Sequence, residues 1–494
     1  MPFNVTQIAN QVLKVQLIGE SSDINFIDQH TEYGVREVVG QTSPTLERVR
    51  RFNGQLTIGA NTGLSAAVGT DASVVFNSFD TIHIFGGRKK VVVEAVDGSA
   101  AKVGNTFVQV PRYYIKEEWI NDGGTIYHYW WMCATKLDGY RLPLPFLKSD
   151  GAERDYAYIG AYEAYLDGDS KLRSISGVFP KVSYSRANFR TAARKLDTND
   201  STSKYQITDV AEYADLVQIP MLIEFATKNM QSIMYGALNM PYSASHVATA
   251  DGAASAGANT IIVANATASL FTVGQTIGIG TSLGGAQIAS GRIITAIDVD
   301  TPGAGSSTIT YDGETVQALT NHIIYTLGWV TGKLDIAKSS SALFGGQQKR
   351  PIMWRGIENP YGNLWKNIDG VKIVNNQAYV CIDPSTYDDV ASNAGAYAYP
   401  YVKLSYLNLA SNAYFSELGF DARFPFAKFP ISTISGVGDT TFYTDYYYQN
   451  TGDRTAFVGG YWDYTSPGGP FGWDLGYGLG DAGIGRGARL SYRP

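Results

Sequence analysis

Only two of the 494 residues are cysteine, Cys133 and Cys381, and they lie far apart in the chain. No disulfide framework and no cysteine-rich metal site can be built from such a pair. Charge is scarce as well: 17% of residues are charged, for a net of -6. The charges are spread along the chain, and the one basic triplet is Arg88-Lys89-Lys90. A nucleic-acid partner needs a basic stripe that can follow a phosphate backbone, so none is expected. No stretch approaches the roughly 20 apolar residues of a membrane-spanning helix, so no membrane insertion is expected. A basic-then-apolar leader is missing from the first residues, and export by the usual route is not expected.

The residues of common enzyme chemistry are thinly supplied. His30, His83, His128, His246 and His322 stand apart from one another and from any Ser or Cys nucleophile motif. No His-x-x-x-His or Cys-x-x-Cys pair offers a zinc site. Glu117-Glu118 and Asp388-Asp389 could supply a general acid and base, but neighbours in a strand point to opposite faces. Both pairs are read as solvated surface charge. Calcium held by Asn and Asp loop carbonyls stays open, although no loop has an ordered ligand pattern. The chain is therefore not expected to be an enzyme, and no cofactor is implied.

What the sequence does have is apolar mass and tyrosine. Hydrophobic residues make up 44% of the chain, enough for two or three globular domains at this length. There are 33 Tyr against 21 Phe, with runs at Tyr446-Tyr447-Tyr448 and between Tyr397 and Tyr401. Tyrosine gives a large contact area with a polar tip at low entropic cost, which suits binding surfaces. Scattered tyrosines are read as strand formers, and the C-terminal cluster as a binding surface.

The first 110 or so residues alternate short apolar segments with Gly and Asp turns, as in 55–58, 81–85 and 90–93. Paired strands are expected over 108–114 and 126–131. Ser185 caps a short helix running to Leu196, and Asp209 with Glu212 forms a capping box for a longer one. Leu216, Ile219, Ile223 and Ala226 fall on one stripe of that helix, and Pro220 predicts a kink or break within it. Residues 244–322 are rich in Ala, Gly, Ser and Thr and contain no Trp, Lys or Cys. Strand-like segments at 260–263, 276–279, 293–299 and 308–311, with a hairpin-type turn at Asp312-Gly313, make this a small inserted β module.

Three motifs follow the module in order: Gly362-Asn363-Leu364-Trp365, Gly459-Gly460-Tyr461-Trp462 and Gly487-Ala488-Arg489-Leu490. They resemble the C-type-lectin-like fold of formylglycine-generating enzymes and phage tropism determinants. Upstream, Tyr33-Gly34-Val35, residues 44–48, Asn77-Ser78-Phe79-Asp80, the 110–114 segment, Gly139-Tyr140-Arg141-Leu142, residues 158–163 and residues 171–177 look like phage and prophage tail-structural proteins. Together the matches cover most of the chain outside 244–322. Formylglycine-generating enzymes use a reactive cysteine pair late in the domain. Here Cys133 lies in an aromatic strand and Cys381 in the apolar Val380-Cys381-Ile382, so the likeness does not extend to that chemistry. Without any family, Trp354, Trp365 and Trp462 are expected to anchor irregular backbone on one core. Asn363 after Gly362 suits a turn whose side-chain amide satisfies loop backbone.

The resemblance implies an α+β, β-dominated protein in four parts. Residues 1–110 form a β-rich attachment and oligomerisation region, and 111–243 the first part of a C-type-lectin-like domain. The β module at 244–322 is inserted there, and 323–494 completes the domain with a C-terminal display face. Between Tyr461 and Arg486, bulky Trp462, Phe471, Trp473, Leu475 and Ile484 alternate with small, Tyr and Asp residues. This resembles the variable region of retroelement-diversified proteins, so Tyr461, Asp463, Tyr464, Ser466, Asp474, Tyr477, Asp481 and Arg486 are expected to project as a receptor-binding face. A Gly-rich structural tail is the plainer alternative. The implied function is that of a virion protein, made in the bacterial cytoplasm, of a tail fibre, tail tip or head fibre. Its partners would be a host surface protein or glycan and other virion proteins, and its assembly a homotrimer. The alternative is a capsid or baseplate decoration protein using the fold only for assembly.

Overall fold

In the computed structural model the described residues are 30–59, 89–94, 104–197, 203–238, 248–249, 259–282, 287–313, 323–333, 350–465 and 467–494. The expected strand over 81–85, the Asn77-Ser78-Phe79-Asp80 motif, His83, His246, His322 and Ser466 lie outside them. Strands dominate and helices are few, so the chain is a β-rich α+β protein.

The first strands are β1 (Glu32–Val38), β2 (Glu47–Phe52), β3 (Gln55–Gly59), β4 (Lys89–Glu94), β5 (Gly104–Pro111), β6 (Tyr114–Asp122), β7 (Thr125–Cys133) and β8 (Tyr156–Glu163). One antiparallel sheet runs β3-β2-β1-β7-β6. In it Val35 of β1 lies opposite Trp130 of β7, and both are buried. A second sheet joins β4, β5 and β8 to β9 (Tyr205–Ile207) and to the final strand, Arg489–Tyr492. The division expected at residue 110 is therefore corrected. β1 to β3 complete a sheet whose other strands lie beyond 110, because a half-apolar strand needs a partner to bury its inner face.

Helix α1 (Arg186–Arg194) starts as expected, with Ser185 accepting the Asn188 N–H. The next helix begins at the expected capping box, Asp209 with Glu212. It runs as α2 (Val210–Tyr213), widens to a π-turn over Ala214–Gln218, and resumes as α3 (Ile219–Phe225), which Pro220 opens. The π-turn sits just before the proline, which cannot donate in the ladder. Expectation and structure differ on burial: the whole of 205–228 is buried, not one stripe. The polar side chains are held by partners. Asp215 takes both arms of Arg141 at 2.7 and 2.6 Å, Glu212 meets Arg493 at 2.9 Å, and Glu224 accepts from Trp354 Nε1 at 2.7 Å and from Arg355. Buried charge is tolerable only in such pairs.

The inserted module comprises β10 (Ala248–Thr249), β11 (Thr260–Ala264), β12 (Thr276–Gly280), β13 (Gln287–Gly303), β14 (Ser306–Tyr311) and β15 (Ile323–Thr326). Their order is β10-β15-β12-β13-β14-β11. Ile261, Phe271, Ile277, Ile294, Ile309 and Ile324 belong to a core cluster of the module's own. One boundary is corrected. The module reaches Thr326, beyond the expected 322, because β15 pairs with β12. For Asp312-Gly313, the residues that would follow the turn, 314–322, lie outside the described ones, and Asp312 itself accepts from and donates to Ile293 of β13.

The second half builds β16 (Trp365–Val374), β17 (Gln377–Val380), β18 (Val402–Lys403), β19 (Ala413–Phe415), β20 (Tyr443–Gln449), β21 (Asp453–Val458), β22 (Trp473–Leu475), β23 (Arg486–Gly487) and β24 (Arg489–Tyr492). Its sheet runs β18-β17-β16-β21-β22-β20-β19, with β23 parallel to β16. Val35, Trp130, Leu222, Ile368 and Trp473 share one core cluster, so the two parts flanking the module are one packed body.

The acidic pairs prove not to be free surface charge, although the Asp388 side chain stays 38% exposed. Glu117 and Glu118 do point to opposite faces of β6, but Glu117 meets His128 and Lys428 while Glu118 meets Arg51, Lys116 and Trp131. Asp389 bridges the buried guanidiniums of Arg186 and Arg190 at 2.6 and 2.9 Å, and Asp388 pairs with Lys372 at 2.7 Å. Each finds a cation from a distant element, which adjacency in sequence cannot reveal.

Candidate functional site

The three Gly-containing motifs converge. Gly362 N–H donates to Gly459 O at 2.9 Å, Trp462 N–H to Asn363 O at 3.1 Å, and Asn367 Nδ2 to Gly487 O at 2.8 Å. Gly362 and Asn363 both take left-handed backbone, at φ 72° and 62°. A side chain at 362 would press on the Ala237 backbone, at 3.2 Å. Asn363 fulfils the turn role expected of it and more. Its N–H donates to Ala237 O at 2.8 Å, its Oδ1 accepts the Trp329 N–H at 2.6 Å, and its Nδ2 donates to Glu163. Ala237 precedes the inserted module and Trp329 follows it, so one asparagine holds both stems. Trp354, Trp365 and Trp462 are all buried, but not on the one core expected: Trp354 joins the main cluster, and Trp462 packs in another against Tyr325, Leu327, Trp329 and Leu364.

Below the motifs lies a buried polar group. Lys366 Nζ is 3.1 Å from Glu163 Oε1, and Arg489 donates to the carbonyls of Gly160 and Asn359 at 2.7 and 2.9 Å. Burial pulls Lys366 down to about 8, with Glu163 opposing. These buried partners close on one another, so the group serves the fold.

The expected display segment is only partly a face. Trp462, Phe471, Trp473 and Leu475 form its buried frame, as expected. Among the expected site residues that are described, Tyr477 is the most exposed, at 41%. Tyr461, Asp463, Tyr464, Asp481 and Arg486 are half-buried, and Ser466 lies outside the described residues. Asp474 is corrected: it is 6% exposed, accepts the Gly476 N–H at 2.8 Å, and is pushed up to about 6 by burial. β22 is an interior strand whose edges pair with β20 and β21, and Trp473, Asp474 and Leu475 are all buried, so both of its faces are covered too. Gly472 is buried as well.

The expected residues divide into two groups. Arg486 lies over the Tyr477 ring at 3.6 Å and pairs with Asp481, which fixes those three against Phe457. Tyr461 and Tyr464 belong to a continuous row of rings that the motif pattern did not delimit. Tyr414 meets Tyr446 at 4.9 Å, Tyr446 meets Tyr448 at 4.6 Å, Tyr448 meets Tyr464 at 5.6 Å, and Tyr464 meets Tyr461 at 5.9 Å. Trp365 backs Tyr464 edge-on at 4.7 Å. The signal was present in the Tyr446-Tyr447-Tyr448 run. Strand alternation turns Tyr447 into the core and leaves its neighbours half-exposed. Tyr414 joins only because β19 pairs with β20.

Both thiols are buried. Burial pushes Cys133 up to about 11 and raises Cys381 as well, which disfavours the thiolate that would act as nucleophile. Among the described residues, no cluster of three His, Cys, Asp or Glu side chains is placed to hold a metal ion. No helix there is long and apolar enough to cross a membrane. No protein-family model matches the chain, and a search of curated proteins finds no relative.

Proposed function

We propose that this chain is a bacteriophage virion protein that attaches to the host bacterial surface through the tyrosine row Tyr414–Tyr446–Tyr448–Tyr464–Tyr461, carried on a C-type-lectin-like domain. The observation that carries this proposal is the row itself. Five half-buried tyrosine rings on strands β19 and β20 and the loop after β21 touch one another in succession, and buried Trp365 backs Tyr464. Rigid tyrosines offer amphipathic contact area at little entropic cost, for a glycan or a protein alike. The convergence of the three Gly-containing motifs supports the lectin-like fold. As one copy among several in a symmetric fibre or tail tip, a weak site would gain by avidity.

Binding of fluorescently labelled protein to a panel of bacterial cells, read by flow cytometry, tests this. A strain that takes up the parent should lose uptake of the Tyr446→Ala/Tyr448→Ala variant by about tenfold or more, with the melting temperature little changed. Equal uptake of parent and variant would refute the row as the contact. Location of the row at a subunit junction in virions would favour assembly instead.

A further inference from the structure

A cavity of about 120 Å³ on the first sheet lies outside the tyrosine row. Its floor follows from register. Glu37 of β1 lies opposite His128 of β7, and His128 opposite Trp119 of β6; in the next row Trp130 lies opposite Glu117. Strand alternation puts all five side chains on one face. Lys228, Lys428, Tyr443 and Phe471 arrive from the second half and the helical segment to close the other side.

The polar groups are ordered and balanced. His128 Nε2 is 2.8 Å from Glu117 Oε1, and its Nδ1 is 3.8 Å from Glu37 Oε1. Lys228 pairs with Glu37 and Lys428 with Glu117, all four side chains at most 10% exposed. Two carboxylates face two ammoniums, so the buried pairs offer neither a free anion nor a free cation a net charge; a third carboxylate, Glu417, lines the cavity from a solvent-exposed position. Each ammonium has three N–H donors and spends one on its glutamate, and each carboxylate has lone pairs beyond its present partners. Donors and acceptors thus alternate around a space lined by aromatic rings. Trp119, stacked on His128 at 4.2 Å and 45% exposed, stands where the cavity meets solvent.

We infer that this cavity binds a single neutral sugar ring, the end unit of a glycan. Each ring hydroxyl can donate to a carboxylate and accept from an ammonium, which an ion cannot do. The C–H face of a pyranose is apolar and suits Trp119. The volume is several times what one water needs, yet too small for a chain of sugars. Like ligand pockets generally, the cavity is concave and sets a few orienting polar groups among aromatic rings.

The test uses the full chain and the methyl glycosides of glucose, galactose, mannose and N-acetylglucosamine, with sodium sulfate as the ionic probe. Saturation-transfer NMR and quenching of tryptophan fluorescence report binding. One or more glycosides should saturate at millimolar concentration. Trp119→Ala should weaken that binding about tenfold at unchanged melting temperature, and Trp119→Phe should restore part of it. Absence of binding by all four glycosides at about 10 mM, equal binding by Trp119→Ala, or displacement by sulfate would overturn the inference. Tyr446→Ala/Tyr448→Ala should leave this binding unchanged, which separates it from failure of the tyrosine row.

Discussion

Asp445 carries a pH dependence that its surroundings make calculable. It lies in β20, fully buried, and its carboxyl accepts the Phe471 N–H at 2.8 Å. The backbone of Gly472 also favours its charged form. Its Oδ1 has no hydrogen-bond partner among the described residues. Burial outweighs these two N–H groups and pushes the carboxyl from 3.8 up to about 7. The unfolded chain titrates near the ordinary value, so between about pH 4 and 7 the folded form holds a proton that the unfolded form has released. Stability then falls as pH rises through this window and levels off above it. A span of about three pH units at 1.36 kcal/mol each makes the loss about 4 kcal/mol. Asp445→Asn keeps the shape and cannot ionise. Calorimetric unfolding of parent and variant at pH 5 and pH 8 should show the variant gaining on the parent by about 2.5–3 kcal/mol at the higher pH, since about two of those units lie above pH 5. Comparing the pair at each pH cancels Asp474 and Glu212, which burial also raises. A gap that does not change with pH, or that favours the parent at pH 8, would refute the reasoning.

Two further changes probe the frame of the fold. Trp462→Ala should cost about 3–5 kcal/mol, because it empties a fully buried site between the motifs and the module stems; a melting temperature equal to the parent's would contradict that packing. Replacing residues 244–326 by a short linker should leave a cooperative calorimetric transition for the remainder, since Asn363 holds Ala237 and Trp329 side by side and the module has a core of its own. Loss of that transition would mean that the two parts fold only together. The same deletion ending at 322 should behave worse, because it strands β15 without β12.

Local signals in the sequence determined much of this protein. The caps at Ser185 and Asp209, the irregularity before Pro220, the turn role of Asn363 and the small-residue module each depend on neighbours a few residues away. Such features form from short-range hydrogen bonds and periodicity, which a reader of one chain can see. Tertiary structure alone decided the rest. Asp474 looks like a display residue until its strand is placed inside the sheet, paired on both edges and buried on both faces. Glu117 looks like surface charge until Lys428, 311 residues away, closes over it. The boundary at 110 fails because β1 pairs with β7, and the tyrosine row gains Tyr414 through the pairing of β19 with β20. In each case the deciding partner comes from a distant segment, and the free energy of burying a strand face or an ion pair belongs to the contact rather than to either residue alone.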